Sequence, residues 1–135
     1  MADASKFLEG WHPLVAERDL AALPDVLAED VSMGAPPYWN RLEGRPVVAF
    51  LLGVILHTIE DFTYHREWVE GDELALEFQG RVGDLDLQGI DLITLDDADR
   101  VARIDVLIRP HNAVGRLIEV VRPQMIEFLK RQAEA

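Results

Sequence analysis

The chain has 135 residues, and a domain near ~150 residues buries about 70% of its unfolded surface, enough for a real core. Its 13 Lys and Arg stand against 25 Asp and Glu, a formal net charge of −12 that repels phosphate backbones and anionic membrane surfaces, so neither nucleic acid nor membrane partners are expected. No cysteine is present, which excludes disulfides, thiolate metal sites and cysteine nucleophiles; a cytoplasmic location is the natural expectation, though cysteine usage leaves it open.

The N-terminus brings Asp3 and Glu9 with no basic stretch, which does not read as a signal peptide. Over residues 4–18, Phe7, Trp11, Leu14, Val15 and Arg18 follow amphipathic helical spacing, with Asp3 as N-cap and Pro13 predicted to kink or restart the helix. A shorter helical turn through Leu23, Val26 and Leu27 has Pro24 in its first turn. A brief strand at residues 31–33 then meets the breaker Gly34-Ala35-Pro36-Pro37, and Tyr38, Trp39 and Asn40 lie in the loop beyond it.

Residues 46–59 predict a helix that is apolar nearly all round and therefore deeply buried. Its apolar run "VVAFLLGVIL" has 10 residues, well short of the ~20 that span a membrane. After Asp61 the period changes to 2, with Phe62, Tyr64, Arg66 and Trp68 read as one face of a strand. Turn signals at Gly71-Asp72, Gly83-Asp84 and Asp96 to Asp99 join four strands into an antiparallel meander. The stretch "LDLQGIDLITL" is the third of these, and its odd positions place one carboxylic acid, Asp91, on an otherwise apolar face. Arg109-Pro110 ends the sheet, and residues 114–132 read as a tail helix that Pro123 should kink or split.

No repeat or linker divides residues 1–135, so the expectation is one α+β domain with a tail helix over 110–135. A curved antiparallel sheet wrapped around N-terminal helices would form a cone with an internal cavity, and such clefts bind small ligands. "ERDLAALPDVLAEDVSM", "LEGRPVVAFL" and "GIDLITLDDADRVARIDVLIRP", in that order and spacing, resemble the nuclear transport factor 2-like superfamily, which includes ketosteroid isomerases, polyketide cyclases and limonene epoxide hydrolases. The resemblance implies a cone with a mostly apolar cavity and a homodimer formed through the outer sheet face. It also aligns the Ile90-Asp91 pair with the protonated acid that donates to an oxyanion in the isomerases. The isomerase base would fall near Met33 and the partner tyrosine near Trp11. The epoxide hydrolase set would fall on Met33, Ala35, Phe78, Gly80 and Val106; neither set of residues is reproduced.

The expected ligand pocket draws Trp11 and Val15 from the first helix, Met33 from the early strand, and Tyr38 and Trp39 from the loop. Phe50 and Val54 join from the buried helix, with Phe78, Asp91, Ile93 and Val106 from the sheet. Asp91, desolvated there, would have a raised pKa and reads either as a catalytic acid or as an acid bonded to Trp11 or His57 that orients the pocket. His57 shares a helix face with Phe50 and Val54 and is a second catalytic candidate, against a locally bonded imidazole at a helix C-terminus. His12, His65 and His111 show no metal-ligand spacing, so neither metal nor cofactor is expected. Ile90 and Leu92 make the opposite face too apolar for solvent, which implies a covering second subunit. The expected function is a cavity protein for a small hydrophobic molecule: an isomerase, cyclase or lyase-type enzyme, or else a non-catalytic carrier or interaction module.

Overall fold

Asp3 starts the first helix as the sequence implies, its carboxylate accepting from Lys6 N at 3.1 Å. The computed structural model describes residues 2–134. Helix α1, Ala4–Ala16, runs unbroken through Pro13, and Phe7, Trp11, Leu14 and Val15 on either side of the proline are buried in the core. The cost is one missing backbone donor, which those contacts offset. Arg18, in a left-handed conformation at φ 52, ends the turn beyond it. A 3₁₀ turn, Leu20–Ala22, and the one-turn helix α2, Leu23–Val26, lead into strand β1, Leu27–Gly34.

β1 is longer than the brief strand the sequence implies, and it lies parallel to β6, a non-local pairing that short-range periodicity does not encode. The short β2, Leu42–Glu43, pairs with it, and helix α3, Arg45–Thr58, follows with Pro46 in its first turn. Strands β3, Glu60–Glu70, β4, Glu73–Val82, β5, Leu85–Leu95, and β6, Val101–Arg109, form the expected meander. Gly71 and Gly83, both at φ 63, open its two-residue turns. Asp96 holds the third turn by accepting from Ala98 N and Arg100 N. The sheet order is β2-β1-β6-β5-β4-β3, a mixed sheet within an α+β fold.

Helix α4, His111–Glu134, is continuous through Pro123, where a kink or split was expected. Val121 and Met125, buried on either side of the proline, hold the two halves in line at the loss of one hydrogen bond. Phe128 of α4 stacks on Phe50 of α3 with ring centroids 4.3 Å apart.

The inner face of the meander is built from alternate positions. Leu74, Leu76, Phe78 and Val82 of β4 and Leu87, Gly89, Asp91, Ile93 and Leu95 of β5 are buried against the helices. At Gly89 a Cβ would collide with the ring of Phe78, so glycine is what lets that ring lie across β5. In β3 the register with β4 slips between Tyr64 and Arg66. One residue inserted there turns the rest of the strand over, so Arg66 and Trp68 leave the face that Phe62 and Tyr64 share.

Candidate functional site

Asp91 occupies the middle of the inner face, opposite Leu76 on β4 and Val106 on β6, and is 6% exposed. Its partner is Tyr64, whose hydroxyl donates to Asp91 Oδ2 at 2.6 Å. Tyr64 in turn accepts from Trp11 Nε1 at 3.0 Å. The indole nitrogen can only donate, so the step from Trp11 to Tyr64 is fixed in direction, and Tyr64 donates onward to Asp91 while that carboxylate is ionised. The bond expected between Asp91 and Trp11 or His57 is thus replaced by one to Tyr64, which stands between Asp91 and Trp11.

Burial pushes the Asp91 carboxyl up to about 7, against a smaller opposing pull from the Tyr64 hydrogen bond. Burial also drives the Tyr64 hydroxyl well above its ordinary value, reinforced by the charge of Asp91 and the bond to it, with Trp11 acting the other way. Near neutral pH Asp91 thus exchanges between two states with different chemistry. Ionised, it accepts the Tyr64 proton. Protonated, it can donate to Tyr64 Oη, which has a second lone pair, and free the tyrosine proton for another oxygen.

The aromatic surroundings fix the tyrosine ring. Phe62 stands edge-on to Tyr64 at 5.0 Å and stacks on Phe78 at 4.6 Å. Trp11 stacks on Phe7 at 5.4 Å, which holds the indole against the sheet.

Several expected pocket residues do join this region as core. Trp11, Met33, Phe78, Ile93 and Val106 are each at most 4% exposed, and Val15 and Val54 are also buried. Others lie elsewhere. His57 is exposed near the end of α3, because at its position the helix has turned away from the core that Val54 enters. It makes no hydrogen bond with Asp91, which corrects its assignment to the site. Phe50 is taken up by Phe128 of α4. Trp39 is 97% exposed, and with Tyr38 it borders a groove beside Arg41 and Leu107 on the outer side of the sheet. Trp68, read on one face with Phe62 and Tyr64, is instead on the outer face under the Arg66 guanidinium, 5.1 Å from its ring centroid.

Asp91 lines none of five clefts that open between described residues. Of the side chains expected to line a pocket around it, Trp11, Met33, Phe78, Ile93 and Val106 are packed as core. One cleft reaches its partner: a space of about 440 Å³ between α1 and β3, bordered by His12, Val15, Phe62, Tyr64 and Glu67. Tyr64 is the residue the sequence reading passed over. Its signal was an aromatic hydroxyl on the Phe62 face of β3, but its link to Asp91 on β5 crosses the intervening β4 and is invisible in local spacing.

An α+β fold with a curved sheet and a buried acid, Asp91, on its inner face defines a fold class rather than one activity. A steroid delta-isomerase from Pseudomonas aeruginosa is 36% identical, with a TM-score of 0.88 and 96% of each chain covered. A bacterial protein with a cystatin-like fold from Silicibacter pomeroyi DSS-3 is 35% identical, with a TM-score of 0.87, covering 94% of this chain and 92% of that one. An NTF2-like protein of unknown function from Mesorhizobium loti shares the fold at 19% identity and a TM-score of 0.68, covering 78% and 90%. No protein-family profile and no curated protein matches the sequence. The chain belongs to the nuclear transport factor 2-like superfamily. No helix among the described residues is long and apolar enough to cross a membrane.

Proposed function

We propose that this protein binds a compact hydrophobic molecule bearing a carbonyl or hydroxyl oxygen, and that the Tyr64–Asp91 pair supplies the proton or hydrogen bond which that oxygen receives. The observation that carries this reading is the hydrogen-bonded chain Trp11 to Tyr64 to Asp91, ending on a carboxyl whose pKa burial has moved to about 7. An acid poised there can give or take a proton at physiological pH, as general acid–base chemistry requires. The steroid delta-isomerase, at 36% identity, supports an isomerase-type reaction.

The probe is 2-naphthol, followed by its fluorescence. Saturable binding is expected, weakened about 10-fold by Tyr64→Phe, the equivalent of one hydrogen bond. Absence of saturable binding to the wild type, or equal affinity in the variant, overturns the reading.

A carrier without turnover is the second reading. Met33, where the resemblance would put a base, is fully buried and cannot take a proton, which favours it. An Asp91→Asn variant separates the two: an enzyme loses turnover and keeps ligand affinity, whereas a carrier has no turnover to lose.

We also propose a homodimer through the outer sheet face. Trp68 on β3, Leu92 on β5 and Leu107 on β6 are 49%, 40% and 58% exposed there. Arg66 bonds Glu77, and Arg41 and Arg103 bond Asp105, so these two carboxylates of the outer face are each paired within a strongly acidic chain. Two acidic copies repel least where their charges are already paired.

A further inference from the structure

The two edges of the sheet are finished differently. At one, β1 is covered by β2, by Gly44 N on the Val31 carbonyl and by the Arg45 guanidinium on the Leu27 carbonyl. At the other, β3 ends the sheet, and among the described residues only β4 bonds the backbone of residues 66–70. Which of its groups are free follows from the hairpin. Glu70 and Glu73 flank the two-residue turn Gly71-Asp72 and form its closing hydrogen-bonded pair. Opposed residues of an antiparallel ladder alternate between bonded and unbonded, and the register runs without a slip from Glu70 back to Arg66. Trp68 is therefore bonded to Ala75, while Val69 and Glu67 turn their N–H and C=O groups away from β4.

We propose that the edge from Glu67 to Glu70 receives an extended basic segment of a partner protein as an added strand, with two apolar residues of that segment between two lysines or arginines. The side chains around the edge define this pattern. Trp68 on the outer face and Val69 on the inner are both 49% exposed, so apolar surface stands on either side of the free backbone. Each has a glutamate beside it on its own face, Glu70 with Trp68 and Glu67 with Val69. Glu67 holds His12 and is still 45% exposed. Glu70 lies directly opposite Glu73, with Asp72 in the turn between them, a like-charge pairing that a cation on the added strand relieves. Charge also selects the occupant. A second copy paired edge to edge would set Glu67 and Glu70 against the same residues in a chain of net charge −12, whereas a basic segment is drawn to them. The charges that keep like chains off this edge thus admit a chain of opposite sign. The added strand lies in the plane of the sheet, which leaves the outer face to the homodimer, and it makes no use of Tyr64 or Asp91.

The test uses the full chain and a fluorescein-labelled, end-blocked peptide of two valines between two lysines, followed by fluorescence anisotropy. Saturable binding to the wild type is expected. Val69→Pro removes one edge donor and no bond to β4, and should weaken binding about 10-fold, the equivalent of one hydrogen bond. Glu70→Lys, at an exposed position, should weaken it further than Glu70→Gln does. A peptide with both valine nitrogens methylated makes the same subtraction from the other side without altering the protein, and should not saturate. Absence of saturable binding to the wild type overturns the proposal. Equal binding of the methylated peptide, or equal affinity in a folded Val69→Pro variant, overturns it too, since attraction between charges alone then accounts for the binding. Sedimentation of the protein alone that changes with Val69→Pro, where the peptide does not bind, gives the edge to a second copy and likewise overturns the proposal.

Discussion

Tyr64 on β3 and Asp91 on β5 are separated by the whole of β4, yet their side chains meet at 2.6 Å over the inner face. The contact is possible because Phe78, between them, lies flat across Gly89 instead of standing up from the sheet. Removing the tyrosine hydroxyl therefore touches two partners. In Tyr64→Phe the Trp11 N–H loses its acceptor and the Asp91 carboxyl loses its donor. A stability loss of about 1–3 kcal/mol is expected in urea unfolding. The Asp91 midpoint, read by carboxyl carbon NMR, should move up from about 7, because the lost hydrogen bond was the influence holding it down. A midpoint that stays or falls would contradict the bond.

Asp91 also gives stability a specific pH dependence. Its folded pKa is raised to about 7, whereas an unfolded aspartate titrates near ~3.9. Between these values the folded protein keeps a proton that the unfolded chain has released. This contribution is present in full below the unfolded pKa, is lost as pH rises through that window, and levels off above about 7. The full effect is on the order of 4 kcal/mol. Asp91→Asn removes the ionisation, so the difference in unfolding free energy between variant and wild type should grow in the variant's favour from pH 4 to pH 7. A constant difference across that range rules the shift out.

Gly89 is expected to reject a side chain. Gly89→Ala sets a Cβ against the Phe78 ring and the Leu107 carbonyl, for about 1–3 kcal/mol of destabilisation. Gly10→Ala, with open space around the added carbon on α1, is the control and should stabilise or leave the protein unchanged. Parallel denaturant curves compare the two, and equal effects would mean that Phe78 does not lie where it is described.

The outer face gives a prediction in solution. Sedimentation at micromolar concentration should find a dimer, and Leu92→Glu combined with Leu107→Glu should give a folded monomer, checked by circular dichroism. A wild type that sediments as a monomer removes the interface.

Trp39, 97% exposed, carries no packing, so Trp39→Ala should alter unfolding free energy by less than about 0.5 kcal/mol. A larger loss in the same denaturant curves would place the indole against the protein.

The features that were legible in the sequence are local ones. Alternation in β5 put Asp91 on the inner face, Gly71, Gly83 and Asp96 marked the turns, and Asp3 marked the start of α1. Each depends on a few neighbouring residues and on backbone preferences that act within a turn. Where alternation was extended across β3 it misplaced Trp68, because a one-residue slip in pairing reverses every later side chain and leaves no trace in composition. The prolines misled for a related reason. Pro13 and Pro123 were read by intrinsic preference, and buried contacts on both sides of each kept the helices whole.

By itself, then, the sequence determined an acidic α+β domain, its turns, and one carboxyl in an apolar face, since these follow from charge, periodicity and backbone propensity. Only the tertiary structure decided that Tyr64 is its partner, that His12 stands beside Glu67, that His57 points to solvent, and that β1 runs parallel to β6. Those pairings join residues between 27 and 74 positions apart, and they exist only once the sheet has curved and the helices have closed on it.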